Sequence, residues 1–207
     1  KGEITNTDFF CGNLKGITNH LKYIKKLGVK IVYLSPICRS QSNHRYDTAD
    51  YLSIDPYLGS AEDMKNLCQR AHALGMKVII DTVFNHTGDD SIYFNRLSTF
   101  PEKGAITGRD SKYFEWYKRD QFNHFQYWWG FGNLPVCNPD CKEWQNFLFG
   151  DGGVIDTWFT KWGIDGLRLD VADELPDYFL TMLANCAKHY KKDAFILGEV
   201  WENAIRK

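Results

Sequence analysis

The sequence predicts an α/β fold in which helices alternate with parallel strands, and three observations support this. Three stretches share one plan, a helix end, a glycine and then a strand, and they begin at Lys25, His72 and Thr160. Their strands are largely apolar, as expected for a parallel sheet that is covered on both faces. Polar side chains occur where these strands end. Alternation of this kind is typical of α/β proteins.

The composition is that of a globular domain without a strongly charged surface. The 207 residues are 43% hydrophobic and carry a formal net charge of −1, which argues against nucleic acid or an anionic membrane as a partner. No apolar run approaches the roughly 20 residues that are needed to cross a bilayer. The chain does not begin with Met, so we expect it to be a piece of a longer protein.

The cysteines predict a reducing compartment. Six are present, at positions 11, 38, 68, 137, 141 and 186, and only the pair at 137 and 141 is close in sequence. They contain no pair of CxxC motifs of the zinc-binding type. In a domain of this size a buried cysteine usually behaves as a small apolar residue, whereas disulfide frameworks belong mainly to small secreted modules. We therefore expect free thiols and a cytoplasmic location.

The first two units each combine a helix with a strand. The first helix ends before Gly28, which suits a left-handed cap, and its strand covers residues 31–34. The second helix opens at Ser60 with Asp63 three residues later, which resembles a capping box, and its strand covers residues 78–83. Both helices carry apolar residues at helical spacing. These are Ile17, Leu21, Ile24 and Leu27, and then Met64, Leu67, Ala71 and Leu74.

Two further units are predicted in the last third of the chain. A helix over residues 142–161 ends near Trp162 and leads into a strand over residues 166–171. Another helix over residues 177–190 is followed by a strand over residues 194–200. The chain therefore offers four strands, each preceded by a helix.

Open doubly wound sheets and closed (β/α)8 barrels both show this alternation, and the polar strand ends favour the barrel. Asp81 lies at the end of the second strand, Arg168 and Asp170 on the third and Glu199 on the fourth. Functional groups at the carboxyl ends of several strands are typical of the barrel, and no glycine-rich phosphate-binding turn is present. A complete TIM (β/α)8 barrel needs about 250 residues. The sequence therefore predicts a partial barrel, about strands 2 to 5, with an insertion after the third barrel strand.

The insertion is rich in aromatic residues. Residues 87–135 hold 13 of the 32 aromatic residues of the chain, and the stretch is too long for an ordinary loop. We expect most of these rings to pack a small core of their own. The predicted organisation is residues 1–86 as the first part of the barrel, 87–135 as the insertion and 136–207 as the continuation of the barrel.

The charged strand ends suggest a chemistry. Arg168 and Asp170 lie two apart on a strand and face the same side, although a buried ion pair would explain them equally well. Carboxyl groups at the ends of adjacent strands, such as Asp170 and Glu199, should lie about 5 Å apart, which is the spacing of retaining glycosidases. That chemistry uses one carboxylate and one carboxylic acid. We expect Arg168 to lower the pKa of Asp170 and keep it ionised, while Glu199 stays protonated.

Three motifs resemble the α-amylase family of glycoside hydrolases, and the match covers nearly the whole chain. In order they read DTVFNH (81–86), GLRLDVADE (166–174) and GEVW (198–201). The resemblance implies a TIM barrel that hydrolyses α-glucans through a covalent glycosyl-enzyme intermediate with net retention. It also implies that Asp170 is the nucleophile and Glu199 the general acid/base.

The same resemblance implies residues that hold the sugar at the cleavage point. Residues 44–51 look like the loop after the second barrel strand, in which Tyr46 would stack under the sugar. Asp81 could contact the sugar or serve only to fix Arg168, and Asn85 could equally brace the insertion. The substrate-binding set predicted in this way is Arg168, His86, Tyr46, Asn85, Asp81 and Glu174.

The residues after the nucleophile point to one branch of the family. Many classical amylases carry Lys-His where this chain has Asp173 and Glu174. Together with LPVCNP (134–139), this pair resembles the cyclomaltodextrinase, neopullulanase and maltogenic amylase branch. The implied substrates are cyclodextrins, pullulan and maltooligosaccharides, cleaved at α-1,4 bonds with α-1,6 bonds as a further target. Because members of this branch often dimerise through an N-terminal domain, a homodimer is the expected assembly of the parent protein.

Two parts of the family pattern do not occur in this chain. We expect the first barrel strand to precede Lys1 and a fourth motif, which carries a transition-state-stabilising Asp, to follow Lys207. The chain alone should then be inactive. The alternatives to hydrolysis are a transglycosylase of the same family, a noncatalytic glycan-binding barrel, and a metal-dependent barrel enzyme with Asp170 and Glu199 as ligands.

Calcium is the one cofactor that the resemblance leaves open. Asn6, Asp8 and Asn13 cluster where some of these relatives bind calcium through oxygen ligands. A solvated polar loop explains the cluster at least as well. No metal ligand is therefore assigned.

Overall fold

A computed structural model of the chain describes residues 5–10, 12–201 and 203. Its helices and strands follow the predicted alternation. In chain order they are α1 (Leu14–Lys26), β1 (Ile31–Leu34), β2 (Cys38–Ser40), β3 (Thr48–Ile54), α2 (Ala61–Ala73), β4 (Lys77–Thr82), α3 (Lys142–Phe149), α4 (Val154–Asp156), β5 (Gly166–Leu169), α5 (Asp177–Tyr190) and β6 (Phe195–Gly198).

The main sheet is parallel and has the strand order β1-β4-β5-β6. The register pairs Asp81 of β4 with Arg168 of β5, and Leu169 of β5 with Gly198 of β6. Asp170 and Glu199 follow these last two residues at the same edge of the sheet. Sequential parallel strands joined by helices, with polar residues at their carboxyl ends, form one part of a TIM barrel.

The helix ends are set by local hydrogen bonds. Asn13 caps α1, because its side chain accepts a hydrogen bond from the Gly16 amide. Ser60 and Asp63 form the predicted capping box at the start of α2, in which each side chain accepts from the backbone amide of the other residue. Gly28 follows α1 with a φ of 85°, a left-handed conformation that suits glycine.

The outer face of the sheet is buried and its inner face is partly open. Val78, Ile80 and Leu167 are fully buried on the side that the helices cover. On the opposite side, Tyr33 of β1 and Leu197 of β6 are each 47% exposed. Burial on both faces was expected for the first three strands of the sheet, and that expectation is wrong for β1. The reason is that β1 and β6 are the edges of a sheet of only four strands.

Two local features differ from the prediction. Strands β2 and β3 form an antiparallel hairpin where the sequence suggested a loop, because residues of β3 such as Tyr51 are buried against the core. The predicted helix over 142–161 is broken between α3 and α4. At the break a Cβ on Gly153 would lie 2.6 Å from the carbonyl oxygen of Phe147, so the chain packs too closely there for a larger residue. A π-helix over Thr157–Trp162 then continues from α4.

The insertion is built from short 3₁₀ turns and isolated bridges. One bridge pairs His86 with Val136, which brings the two ends of the insertion together at the end of β4. Several rings of the insertion are buried against one another, for example Phe94 and Tyr117, whose centroids lie 5.0 Å apart. Others, Phe122, Trp129 and Phe131, are exposed. The buried rings of the insertion also belong to the same core as the barrel, because Trp116 packs 5.1 Å from Trp144, so the expectation that they would pack a core of their own is wrong.

Two remaining observations concern cysteines and membrane spans. Cys38, Cys68, Cys137 and Cys141 are buried free thiols, Cys186 is a half-buried one, and Cys11 lies outside the described residues. Within the described part of the chain, none of the helices combines the length and the apolar character required of a membrane span.

Candidate active site

Arg168 is the centre of the candidate site. Its Nη1 donates hydrogen bonds to both oxygens of Asp81, at 2.9 and 3.1 Å, and to Oδ1 of Asp170 at 2.9 Å. Its Nη2 pairs with Oε1 of Glu199 at 2.7 Å. One guanidinium therefore joins the three carboxylates that the sequence placed at the ends of three consecutive strands.

The sheet positions the two candidate catalytic carboxylates. The amide of Asp170 donates to the carbonyl of Thr82 at 3.0 Å, and the amide of Glu199 donates to the carbonyl of Leu169 at 2.9 Å. These bonds continue the parallel ladder by one residue beyond each strand. Because neighbouring strands lie about 4.8 Å apart, the two side chains start from adjacent positions at the carboxyl edge.

Val171 turns the chain sharply after Asp170. It has a φ of 49° and a ψ of 43°, a left-handed conformation that is unusual for a β-branched residue. Its amide donates to Oε2 of Glu199 at 3.1 Å. The turn therefore ends the strand at Asp170 and supplies a hydrogen bond to the second carboxylate. Strain of this kind is found at functional sites more often than elsewhere.

Asp81 lies beneath the site, and both of its carboxylate oxygens accept hydrogen bonds. Its side chain is inaccessible to solvent. Besides binding Arg168, it accepts hydrogen bonds from the hydroxyl groups of Tyr46, at 2.9 Å, and of Tyr33. Burial, reinforced by the negative charge of Asp81, raises the pKa of Tyr33 to about 12 and that of Tyr46 further. The geometry thus favours the alternative in which Asp81 fixes Arg168 and does not touch the sugar.

The order of the two pKa values is the reverse of the expected one. Burial, together with the nearby charge of Asp81, raises the pKa of Asp170 to about 7 in spite of Arg168. Partial burial would also raise the pKa of Glu199, but hydrogen bonds from the Val171 amide and from Trp201, with the charge of Arg168, outweigh it and leave that pKa below its ordinary value. The expectation that Arg168 would lower the pKa of Asp170 and that Glu199 would stay protonated is therefore wrong for this structure.

His86 is buried beside the carboxylates. Its ring stacks on Trp128 with centroids 5.2 Å apart, and burial lowers its pKa to about 4, so the ring is neutral at pH 7. Its Nε2 is buried and has no hydrogen-bond partner within the described part of the chain. Asn85 has a different role in the fold. Its carbonyl accepts from the amide of Cys137 at 2.9 Å, which ties the strand end to the far end of the insertion.

The carboxylate of Glu174 is bound by two tryptophans of the insertion. Both of its oxygens accept a hydrogen bond from the indole nitrogen of Trp128 at 3.1 Å, and Oε1 also accepts from that of Trp129 at 2.9 Å. The sequence predicted Glu174 as a substrate contact and did not single out the two tryptophans as its partners. The only sequence signal was their place in the aromatic run just before LPVCNP.

A cavity of about 460 Å³ opens over these groups. It is large enough for a small ligand. Its lining includes predicted residues and others that the sequence did not single out for this site. The predicted ones are Tyr46, His86, Asp170 and Glu199, and the others include Phe131 and Trp201.

The three residues considered for calcium each take part in hydrogen bonds of the fold. The side-chain oxygen of Asn13 already accepts from the Gly16 amide, 2.8 Å away, as the cap of α1. The backbone carbonyls of Asn6 and Asp8 accept from Asn43. In the described part of the chain, no group of three or more His, Cys, Asp or Glu side chains is arranged to hold a metal ion.

Fold and site together define a TIM-barrel enzyme domain with a carboxylate pair at the carboxyl edge of its strands. The family model for the alpha amylase catalytic domain matches residues 2–206. The chain therefore belongs to the α-amylase family of glycoside hydrolases. This confirms the family and the partial barrel that the sequence predicted.

The relatives come from the predicted branch and its neighbours. An amylopullulanase of Thermoanaerobacterium saccharolyticum is 40% identical over 97% of this chain, and a cyclomaltodextrinase of Geobacillus thermopakistaniensis is 36% identical over 97%. Among solved structures, cyclic alpha-maltosyl-(1→6)-maltose hydrolase from Arthrobacter globiformis matches 96% of the chain and 44% of its own length, with a TM-score of 0.84 and 32% identity. The chain spans 17% of the amylopullulanase and 34% of the cyclomaltodextrinase.

Proposed function

We propose that the protein containing this chain is a retaining α-glucan hydrolase that cleaves α-1,4 glucosidic bonds, with Asp170 as nucleophile and Glu199 as general acid/base. One observation carries the proposal. Two carboxylates from adjacent strands bind the same guanidinium and line one cavity. A carboxylate pair with this strand spacing is the arrangement that retaining glycosidases use.

The reaction would proceed in two displacements. Asp170 attacks the anomeric carbon, the bond to the leaving oxygen breaks, and Glu199 gives its proton to that oxygen. Glu199 then takes a proton from water, the resulting hydroxide attacks the same carbon, and the bond to Asp170 breaks. Two inversions give net retention, and both carboxyl groups return to their starting states.

The resting protonation pattern requires one rearrangement. Glu199 pairs with Arg168 and has a pKa below its ordinary value, whereas burial raises the pKa of Asp170 to about 7. A sugar in the cavity would displace water from Glu199, which raises the pKa of that carboxyl group. The proton that catalysis needs would then reside on Glu199, and Arg168 would stabilise the ionised Asp170.

Other residues would bind and orient the sugar. His86 lines the cavity, and its neutral ring avoids placing a second cation beside Arg168. Tyr46 lines the cavity while its hydroxyl is anchored on Asp81, so its ring is held in one orientation. Both features favour a preorganised site.

The test uses the full-length protein, because this chain spans only part of the length of its relatives. Asp170→Asn should abolish turnover of maltooligosaccharides, since an amide cannot attack the sugar. NMR of the first product formed from maltotriose by the unmutated enzyme should show the α anomer. Asp151→Asn, an exposed carboxylate in the turn after α3, is the matched control. Unchanged turnover in Asp170→Asn, or the β anomer as first product, would rule out the mechanism.

Linkage preference and cellular location are finer points of the same proposal. Relatives named amylopullulanase, and a structural neighbour named cyclic alpha-maltosyl-(1→6)-maltose hydrolase, support α-1,6 bonds as additional targets, which pullulan digestion would test.

We place the enzyme in the cytoplasm, on the basis of its free thiols and of a relative named intracellular maltogenic amylase in Bacillus subtilis. Fractionation of the source cells would test this location.

A further inference from the structure

The first strand of the sheet sends one hydroxyl group toward the candidate site. Burial alternates along β1, and Tyr33 is on the less buried, inner face. The register pairs Tyr33 with Ile79 of β4, two residues before Asp81 on the same face. The Tyr33 side chain spans this offset, and its hydroxyl donates a hydrogen bond to Oδ2 of Asp81. The bond therefore joins β1 to the carboxyl end of the neighbouring strand.

Asp81 needs such donors because its carboxylate is buried. Its side chain is inaccessible to solvent, so protein groups must replace the water that a carboxylate binds in solution. Oδ1 accepts from the Thr82 amide and from Nη1 of Arg168, both at 2.9 Å. Oδ2 accepts from Nη1 of Arg168 at 3.1 Å and from the hydroxyl groups of Tyr46, at 2.9 Å, and Tyr33. Most of the donors to Oδ2 are therefore tyrosine hydroxyl groups.

The same guanidinium nitrogen serves Asp81 and the proposed nucleophile. Nη1 of Arg168 donates to both oxygens of Asp81 and to Oδ1 of Asp170, at 2.9 to 3.1 Å. This nitrogen has only a pair of hydrogens, so a stronger demand from Asp81 weakens the bond that remains for Asp170. Each hydroxyl group that donates to Oδ2 of Asp81 reduces that demand. The Tyr33 hydroxyl therefore influences Asp170 through Asp81 and Arg168.

Tyr33 differs from Tyr46 in its relation to the cavity over the carboxylates. Tyr46 lines that cavity, whereas Tyr33 is not among the described residues that line it. Loss of the Tyr46 hydroxyl would disturb both the cavity lining and the hydrogen bonds of Asp81. Loss of the Tyr33 hydroxyl would disturb the hydrogen bonds alone, which makes Tyr33 the residue that tests their effect.

We propose that Tyr33 is a positioning residue for the nucleophile, which supplies Oδ2 of Asp81 with a hydrogen bond and so keeps Nη1 of Arg168 directed at Asp170. This inference rests on the proposed function. It gives β1, which carries no residue assigned to catalysis or to sugar binding, a part in the reaction. The Tyr33 hydroxyl exchanges no proton with the substrate and acts only on the geometry of the guanidinium.

The groups around Asp170 set the direction of the expected effect. Burial and the charges of Asp81 and Glu199 raise the pKa of Asp170 to about 7, whereas Arg168 lowers it. The other titratable groups nearby are Tyr33, which binds Asp81, and His44, Tyr46 and His86 in the cavity lining. A weaker bond from Nη1 removes part of the lowering contribution, so the pKa of Asp170 should rise. Because Asp170 must be ionised to attack, the enzyme should then need a higher pH.

α-Maltosyl fluoride isolates the step in which Asp170 attacks. Its leaving group is a fluoride ion, which needs no proton from Glu199, so the acidic limb of the kcat/KM profile reports the ionisation of Asp170. In the full-length enzyme, Tyr33→Phe should move this limb to higher pH by about half a unit or more. The plateau of kcat/KM should fall about tenfold, because the nucleophile is held less firmly.

Tyr93→Phe is the matched control. Tyr93 is a buried tyrosine whose hydroxyl also donates to an aspartate, Asp50, at 3.4 Å, and accepts from the Tyr51 amide at 3.2 Å. It is not among the described residues that line the cavity over the carboxylates. Both variants should lose stability in thermal unfolding, but Tyr93→Phe should leave the acidic limb where it is.

The possible results separate this inference from the proposed function. An acidic limb that stays in place or moves to lower pH in Tyr33→Phe would overturn the inference, and so would an equal shift in Tyr93→Phe. A Tyr33→Phe protein that does not fold would assign the hydroxyl to stability and overturn it as well. If the unmutated enzyme does not hydrolyse the fluoride, or if Asp170→Asn hydrolyses it equally fast, the proposed function itself fails.

Discussion

Asp170→Asn should stabilise the protein at alkaline pH while it destroys activity. Burial raises the pKa of Asp170 from its ordinary value of 3.8 to about 7. Between these two values the folded state holds a proton that the unfolded state has lost, so the free energy of unfolding falls as the pH rises. Above pH 7 the folded protein carries the full cost of a buried charge. The amide of Asn carries no such cost.

The size of the effect follows from the two pKa values. Each pH unit between 3.8 and about 7 corresponds to 1.36 kcal/mol, so the native state loses about 4 kcal/mol by pH 8. At pH 5 only about the first 1.2 units have been crossed, and the loss is about 1.6 kcal/mol. The stability of the Asp170→Asn variant relative to the parent should therefore rise by about 2.5 kcal/mol between pH 5 and pH 8.

Thermal unfolding of the full-length protein and its Asp170→Asn variant at pH 5 and pH 8 measures this difference. The gap between the two midpoints should widen at pH 8, with Asp151→Asn as the control that shows no such widening. A gap of the same size at both pH values would refute the argument. That result would mean that Arg168 compensates fully for the burial of Asp170 and that the proton is not held there.

Two further predictions concern the scaffold beneath the site. Asp165→Ala should lower the free energy of unfolding by about 3 kcal/mol in urea titrations with little change in kcat, because its buried carboxylate binds the Val78 amide at 2.7 Å and Lys191 at 2.9 Å. These contacts lie at the opposite end of the strands from the carboxylates. Gly166→Ala should lower the melting temperature by an amount that corresponds to about 1–3 kcal/mol or more, because a Cβ there would meet the backbone carbonyl of Phe195 on the neighbouring strand. A melting temperature equal to that of the parent would contradict this reading of the β5–β6 packing.

The parts of the fold that depend on periodicity were predictable. The structure confirms α1, α2 and α5 and the order of the four parallel strands, because helix spacing, caps and the glycines after the helices are local signals. The hairpin of β2 and β3 was missed, since its strands are short and irregular in register. The break before α4 was missed because it depends on how closely Gly153 approaches the carbonyl of Phe147.

In the candidate site, the positions of the residues were predictable from the sequence and their charge states were not. The meeting of Asp81, Arg168, Asp170 and Glu199 follows from the rule that parallel strands place their carboxyl ends at one edge, so residue spacing was enough to predict it. Their charge states were not predictable from spacing. They depend on how deeply Asp170 is buried and on the extra hydrogen bond that the Val171 amide gives to Glu199.

Glu174 shows why the position of a side chain can be predicted when its partners in the fold cannot. Its position after β5 follows from the strand pattern, and an exposed carboxylate near the site suggested a sugar contact. Its actual partners lie 45 and 46 residues away in the insertion, and no periodicity relates an insertion to the strand that it folds over.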